Sequence, residues 1–187
     1  MALETKRCYF TFGRFQPPTT GHKDNFAGLK QAAGSDDYRI YISQTVDSKG
    51  NNPLDPKTKF NFMVKAFPEH RGHIFSGPRQ PVEILQQLMT DGYDEVIFLV
   101  GSDRVSAMQF LHKYNGKDFS FRKIEIKSSG SRDADGDTFA VSGTKMRRAA
   151  KSLDFKTFRS GIPKSLSDAD CKTLMKVISA NLPSNYK

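Results

Sequence analysis

Short segments with strand character alternate with segments of helical length along most of the chain. Stretches rich in β-branched and aromatic residues occupy residues 7–13, 38–42, 73–75, 95–100 and 119–127. Helical patterns separate them at residues 21–33, 56–67, 81–90 and 102–114. Strands that alternate with helices in this way favour parallel pairing through right-handed crossovers. We therefore predict an α/β fold with a parallel sheet, in which ligands bind beyond the carboxyl ends of the strands.

The last part of the chain is predicted to be helical. Helical patterns cover residues 145–160 and 167–180, and a Gly-Ile-Pro break separates them. A polar stretch at residues 128–141 precedes them. A length of 187 residues fits one compact domain. We predict a single domain over residues 1–187, with residues 145–187 as its C-terminal helical part.

The charge balance is compatible with solubility and with affinity for polyanions. The formal net charge is +9, with 29 basic and 20 acidic side chains. A nucleoside triphosphate fits this excess; nucleic acid is a weaker candidate, because the chain has no basic run and no ladder of basic and aromatic residues. Cys8 and Cys171 match no metal or redox spacing. No signal-like or membrane-spanning apolar stretch occurs, so we expect a soluble cytoplasmic protein without a membrane partner.

The passage from strand to helix at residues 13–22 forms a first candidate phosphate site. Gly13 ends the first predicted strand and permits close approach of the backbone to a ligand. Two prolines then fix a turn, and the amides of the following helix face an anion. Thr19 and His22 stand three residues apart at this helix start, where both can hydrogen bond phosphate oxygens. The alternative is a Pro-rich turn that carries a surface histidine.

A second candidate phosphate site lies at residues 141–148. The hydroxyls of Ser142 and Thr144 stand at a predicted helix start, where they cap free amides or bind phosphate. Arg147 follows one turn later, so Thr144 and Arg147 are expected to face one ligand. Nucleotidyl transfer requires positioned donors and positive charge rather than covalent protein chemistry. An ordinary capped basic helix is the alternative.

Together the two segments resemble a known superfamily. G-R-F-Q-P-x-x-x-G-H and S-G-T-x-x-R are similar to the signature pair of the nucleotidylyltransferases, which join a nucleoside triphosphate to a phosphomonoester and release pyrophosphate. The forms look most like those of archaeal-type nicotinamide mononucleotide adenylyltransferases, and the small size and divergent loops suit a phage-type member. Looser matches are Ser43-Gln44 with residues 52–59, and Gly101-Ser102-Asp103.

The resemblance implies a Rossmann-like sheet and a role for each matched residue. His22 and Thr19 would contact the triphosphate, with His22 stabilising the transition state at the α-phosphate. Ser142, Thr144 and Arg147 would hold the β- and γ-phosphates. The further implied nucleotide-binding residues are Gly13, Arg14, Phe15, Gly21, Gly101 and Asp103. The implied acceptor-binding residues are Gln44, Asn52 and Lys59.

The resemblance also implies a reaction and a cofactor. AMP would pass from ATP to nicotinamide mononucleotide to give NAD, with Mg²⁺ bridging the phosphates and few or no protein ligands to it. Thr19 stands where the archaeal-type enzymes usually have His, and Lys59 stands where Arg is expected, so the acceptor stays open. One alternative is a cytidylyltransferase that uses CTP and a phosphorylated alcohol or sugar. Another is an inactive relative that binds a nucleotide or RNA, and a homo-oligomer is compatible with each.

An aspartate-rich stretch at residues 133–137 has a superficial likeness to a calcium-binding loop. Its glycine falls at the wrong offset, and Thr144 occupies the position at which such loops need a bidentate Glu. We predict a solvated loop here.

Overall fold

A parallel sheet lies at the centre of the protein, which confirms the predicted α/β, Rossmann-like class. The computed structural model describes residues 4–130 and 142–187. Within them the strands are β1 (Arg7–Gly13), β2 (Asp37–Ile42), β3 (Ile74–Phe75), β4 (Glu95–Val100) and β5 (Lys123–Ser128). They pair in the order β3-β2-β1-β4-β5, all parallel.

Helices connect the strands and follow the sheet. They are α1 (Thr20–Ala33), α2 (Pro56–Ala66), α3 (Pro81–Thr90), α4 (Val105–Met108), α5 (Gly143–Lys151), α6 (Phe155–Gly161) and α7 (Asp168–Asn181). In the described part of the chain, 3-10 helices cover Pro68–His73 and Gln109–Tyr114. Among the described residues, no helix has the length and apolarity that crossing a bilayer would require.

The alternation of side chains along the strands divides the core into two layers. Ile40 and Ile42 of β2 pack with α1, α2 and the C-terminal helices on one face of the sheet. Tyr41, which points the opposite way, joins the buried residues of α3 and β4 on the other face. β4 is buried almost throughout, as its continuous apolar sequence predicts.

Three predicted elements differ from the structure. The strand predicted at residues 119–127 begins at Lys123, because the side chain of Asn115 bonds both backbone groups of Phe121 and takes the place of a neighbouring strand. The single helix predicted at residues 145–160 is two helices, α5 and α6. Leu153 adopts a left-handed φ of 55°, and the Asp154 side chain starts α6 by accepting a hydrogen bond from Thr157 N.

The helix predicted at residues 102–114 is also interrupted. Residues 102–104 form a turn, in which Arg104 N donates to Gly101 O at 2.9 Å. Only then does α4 begin, and it gives way to the 3-10 helix Gln109–Tyr114 after one turn. Of the loop predicted at residues 128–141, residues 131–141 lie outside the described residues, and Ser128 is the last residue of β5.

The strand order places a crevice beside the carboxyl end of β1. The chain runs from β1 outward to β2 and β3, and then returns past β1 to β4 and β5. The connections on the two sides of β1 therefore leave in opposite directions, which opens a crevice at this edge of a parallel sheet. Gly13, the last residue of β1, pairs with Ile42 at the end of β2. The first candidate phosphate site begins here.

Candidate functional site

The turn after β1 is built by packing between Gly13 and Phe15. Phe15 has a left-handed φ of 50° and a fully buried ring. A Cβ on Gly13 would lie 2.7 Å from Cζ of that ring. The space that a side chain at residue 13 would occupy is therefore filled by Phe15, which gives Gly13 a packing role. That its backbone also approaches a ligand stays a prediction. The Phe15 ring also meets the rings of His22 and Phe26 edge-on, at 4.8 and 5.4 Å between centroids.

His22 is held at the start of α1 by Thr19. The Thr19 backbone N–H donates to His22 Nδ1 at 2.9 Å, and Thr19 Oγ1 lies 3.2 Å from the same nitrogen. Because Nδ1 accepts the backbone hydrogen bond, the neutral ring carries its proton on Nε2, which makes Nε2 a donor. Both side chains are buried, with His22 only 2% exposed. Gly21 lies between them in the first turn of α1.

Gln16 joins the first motif to the loop before α2, a role that the sequence analysis did not assign. Its side chain is buried, donates from Nε2 to Leu54 O at 3.0 Å and accepts from Leu54 N at 2.9 Å. Its backbone carbonyl faces the second motif. The one sequence signal for Gln16 is its place in the G-R-F-Q-P motif. The sequence does not indicate that Leu54 is its partner.

The second motif lies directly against the first. Ser142 caps α5 by accepting from Lys145 N at 3.0 Å. Arg147 Nη1 donates to Gln16 O at 2.9 Å, and Nη2 donates to Thr144 Oγ1 at 3.2 Å. A Cβ on Gly143 would lie 3.4 Å from Gln16 O, so the first turn of α5 touches the turn after β1. The structure thus brings together two segments that are about 130 residues apart in sequence.

This junction is electropositive. Arg147 is only 6% exposed, and no carboxylate among the described residues pairs with it. The first amides of α5 add the positive end of a helix dipole. Residues 142–187 carry ten basic and three acidic side chains, so most of the net charge belongs to the C-terminal helices. A buried guanidinium without a carboxylate partner favours an anionic ligand.

Lys59 lies in the interior of the candidate site. Its side chain is fully buried, and Nζ donates to Arg14 O at 2.7 Å and to Ser43 Oγ at 2.9 Å. These bonds tie α2 to the ends of β1 and β2. The implied role of Lys59 in binding an acceptor stays a prediction, for an ammonium that is buried in the structure. Arg14 itself is half-buried.

Asn52 is oriented by Asp47 within the loop between β2 and α2. Asn52 Nδ2 donates to Asp47 Oδ2 at 2.7 Å, while Asp47 Oδ1 accepts from three backbone N–H groups at residues 49–51. Burial alone would raise the pKa of Asp47, but the hydrogen bonds from Asn52 and the backbone outweigh it and lower that pKa. Asn52 Oδ1 is buried, and no donor among the described residues reaches it.

Gln44 lies in a polar pocket of about 430 Å³ at the ends of β2 and β3. Its Nε2 donates to Ile42 O at 3.1 Å and to Ser76 Oγ at 2.9 Å. The other residues that line this pocket are Thr45, Pro56, Gly77 and Arg79. Arg79 is exposed. The pocket therefore offers a cationic and an amide group on the β2 side of the crevice.

A second pocket, of about 440 Å³, lies on the β4 side of β1. Gly101 lines it, together with Thr11 of β1 and Gly28 of α1. Asp103, by contrast, is exposed in the turn after β4 and is not among the lining residues. The structure thus places Gly101, but not Asp103, at a cavity beside the first motif.

Metal-ligating side chains are not clustered in the described residues. No group of three or more His, Cys, Asp or Glu side chains that would hold an ion occurs in residues 4–130 and 142–187. A Mg²⁺ ion that arrives on nucleotide phosphates needs few protein ligands, so this donor set is compatible with such an ion. The binding of Mg²⁺ therefore stays a proposal, which rests on the affinity of nucleotide phosphates for this ion.

Comparison with known proteins identifies the fold. No family profile matches the sequence, and no curated protein matches it. Thermotoga maritima TmcAL bound with alpha-thio ATP has a TM-score of 0.55 at 10% identity, over 96% of this chain and 57% of that one. NadR in complex with NR has a TM-score of 0.57 at 20% identity, over 86% and 44%.

The similarity to a third solved structure extends over almost the whole length of both chains. Plasmodium falciparum nicotinic acid mononucleotide adenylyltransferase complexed with APC has a TM-score of 0.53 at 15% identity, over 92% of this chain and 98% of that one. This chain spans about half the length of the first two structures. At these identities the similarities show a shared α/β fold.

Proposed function

We propose that this protein is a nucleotidylyltransferase that transfers a nucleotidyl group from a nucleoside triphosphate to a phosphomonoester. The observation that carries the proposal is the contact between Gln16 and Arg147, which joins the two phosphate motifs at the carboxyl end of β1. Two segments that are independent candidates for anion binding meet at the crevice where ligands of parallel α/β sheets bind. The shared fold with TmcAL bound with alpha-thio ATP and with an adenylyltransferase supports the same conclusion.

The proposed donor site uses the groups at this junction. Arg147 and the N-terminus of α5, with Ser142 and Thr144, would bind the β- and γ-phosphates and favour pyrophosphate as a leaving group. His22 Nε2, fixed as a donor by the bond from Thr19, would bind an α-phosphate oxygen. The nucleoside would occupy the pocket lined by Gly101. Because His22 is buried, nucleotide binding would require its neighbours to move.

Mg²⁺ is part of the proposal. It would be held mainly by the phosphates, and when bound it would neutralise charge on the β- and γ-phosphates. The described residues then supply hydrogen bonds, orientation and exclusion of water.

We propose ATP and nicotinamide mononucleotide as the substrates, giving NAD. The pocket with Gln44 and exposed Arg79 lies on the β2 side of the crevice, opposite the proposed nucleoside pocket, and offers groups for a phosphorylated acceptor. Asn52, one of the implied acceptor-binding residues, contributes a buried side-chain carbonyl oxygen that would accept a hydrogen bond. A cytidylyltransferase that uses CTP and another phosphomonoester is the alternative within the same chemistry.

Pyrophosphate release tests the proposal. The purified protein with Mg²⁺ is assayed with ATP or CTP and a panel of phosphomonoesters that includes nicotinamide mononucleotide. We expect turnover with ATP and nicotinamide mononucleotide, and a fall of about 10²-fold or more in kcat for His22→Ala. His112→Ala, at an exposed site on the 3-10 helix after α4, is the matched control and keeps full activity. Turnover only with CTP would move the assignment to the alternative.

A second candidate function is binding of RNA by an inactive relative, which the charge of the C-terminal helices favours. It predicts tight polynucleotide binding with a steep salt dependence that His22→Ala leaves unchanged. Such binding, without pyrophosphate release from any substrate pair, would replace the enzymatic proposal.

A further inference from the structure

The last five residues fold back onto the functional site. Tyr186 N donates to Pro183 O at 3.0 Å, which closes a turn after α7. Lys187 O accepts from Arg148 Nε of α5 at 3.2 Å. The C-terminal tail, residues 183–187, is therefore attached to the helix that carries the second motif.

Tyr186 makes two contacts that no motif predicts. Its hydroxyl accepts a hydrogen bond from Arg147 Nε at 3.3 Å. Its ring covers Gly50 in the loop between β2 and α2, since a Cβ on Gly50 would lie 2.6 Å from Cδ2 and Cε2 of the ring. Gly50 is buried and has a φ of 101°, a conformation that favours glycine. The same loop contains Asn52.

Arg147 is thereby held by three separate parts of the chain. Nη1 bonds the turn after β1 at Gln16 O, Nη2 bonds the first turn of its own helix at Thr144 Oγ1, and Nε bonds the tail at Tyr186. A guanidinium has five N–H donors in one plane. These bonds use three of them and fix the plane, and no acceptor among the described residues takes the other two.

We propose that Tyr186 is a positioning residue for the triphosphate site: its hydroxyl sets the plane of the Arg147 guanidinium, and its ring holds the loop at residues 47–52 against the same site. This inference rests on the proposed function, because the remaining Arg147 donors would bind the triphosphate. A planar fork that is already oriented loses less conformational freedom when it forms paired hydrogen bonds to phosphate. The C-terminal tail then completes the donor site from the opposite end of the chain.

Tyr186→Phe tests the hydroxyl while it keeps the ring on Gly50. In the pyrophosphate assay we expect kcat/KM for ATP to fall about tenfold, as for loss of one hydrogen bond to a charged group. The loss should be mainly in kcat if Arg147 acts on the leaving pyrophosphate. Tyr114→Phe, at a half-exposed tyrosine of the 3-10 helix after α4, is the matched control and should retain wild-type activity.

A double-mutant cycle separates positioning from general stability. In an Arg147→Lys background, Tyr186→Phe should lower kcat/KM by less than about twofold, because the guanidinium that Tyr186 orients is absent. Equal losses in both backgrounds, or wild-type kcat/KM for Tyr186→Phe, would overturn the proposal. Thermal unfolding of each variant shows whether the protein is still folded at the assay temperature.

Two readouts do not depend on activity. The Arg147 Nε–H resonance should shift and exchange faster with water in Tyr186→Phe than in wild type. In Tyr186→Ala the amides of residues 49–51 should exchange faster, while Tyr186→Phe should protect them as wild type does. If wild type releases no pyrophosphate, the proposed function fails, but these measurements still decide whether Tyr186 holds Arg147 and the loop. Unchanged Nε–H behaviour in Tyr186→Phe would overturn the inference whatever the activity.

Discussion

Gly13→Ala distinguishes a packing role of the first glycine from a role in ligand binding. The added Cβ would meet Cζ of the fully buried Phe15 ring at 2.7 Å. Carbon atoms pack at about 3.5–4.0 Å, so the ring would have to move by about 1 Å. Overpacking of this kind costs about 1–3 kcal/mol of the free energy of unfolding. For a chain of 187 residues we therefore expect Tm to fall by about 2–12 °C.

The assay is chemical and thermal unfolding of Gly13→Ala with two companions. Gly72→Ala is the control, because nothing lies within 4 Å of its added Cβ, and its stability should equal or exceed that of wild type. In a Phe15→Leu background, Gly13→Ala should lower the free energy of unfolding clearly less than it does in wild type, since the clashing ring is absent. A Gly13→Ala protein with wild-type stability and weakened ATP binding would instead show that Gly13 is needed for the approach of the ligand to the backbone.

Two further predictions concern stability. Gln16→Leu leaves Leu54 N and O buried without their partners, so we expect a loss of about 2–5 kcal/mol, measured by urea unfolding; a loss below about 1 kcal/mol would show that this bridge does not hold the loop. Burial lowers the pKa of His70 below its ordinary value and outweighs the Glu69 carboxylate, so the unfolded chain takes up a proton at higher pH than the folded one. Stability should therefore fall as pH drops below about 6.5, by at most about 1.4 kcal/mol per pH unit, and His70→Gln should show a smaller fall between pH 7.5 and 5.5. Equal pH dependence in both proteins would contradict the role of His70.

The sheet could be predicted because the signals for its strands lie within short segments of the sequence. The continuous apolar run at residues 95–100 and the strand at residues 7–13 stand out from their neighbours, and helices of ordinary length separate the strands. The errors occur where a side chain takes over a backbone bond. Asn115 replaces a strand partner for Phe121, and Asp154 starts a new helix after Leu153. These side-chain hydrogen bonds depend on the folded conformation, and the local pattern of apolar residues does not predict them.

The candidate site was predictable only in part, for a similar reason. Residue types and motif spacing marked His22 and Arg147 as candidate phosphate ligands. They did not show that Lys59 is enclosed under the turn, nor that Gln16 connects three segments. Tyr186 belongs to no motif, since its contacts with Gly50 and Arg147 arise only when the chain end folds back. Long-range packing decides these roles.

The proposed function requires that the junction of Gln16, Arg147 and the N-terminus of α5 binds a triphosphate. A crystal structure with a non-hydrolysable ATP analogue and Mg²⁺ would show where the triphosphate binds. We expect phosphate oxygens within hydrogen-bond distance of the Arg147 Nη atoms and of the first amides of α5, with the nucleoside in the pocket beside Gly101. A nucleotide bound elsewhere, with Arg147 still bonded only to the chain, would contradict it.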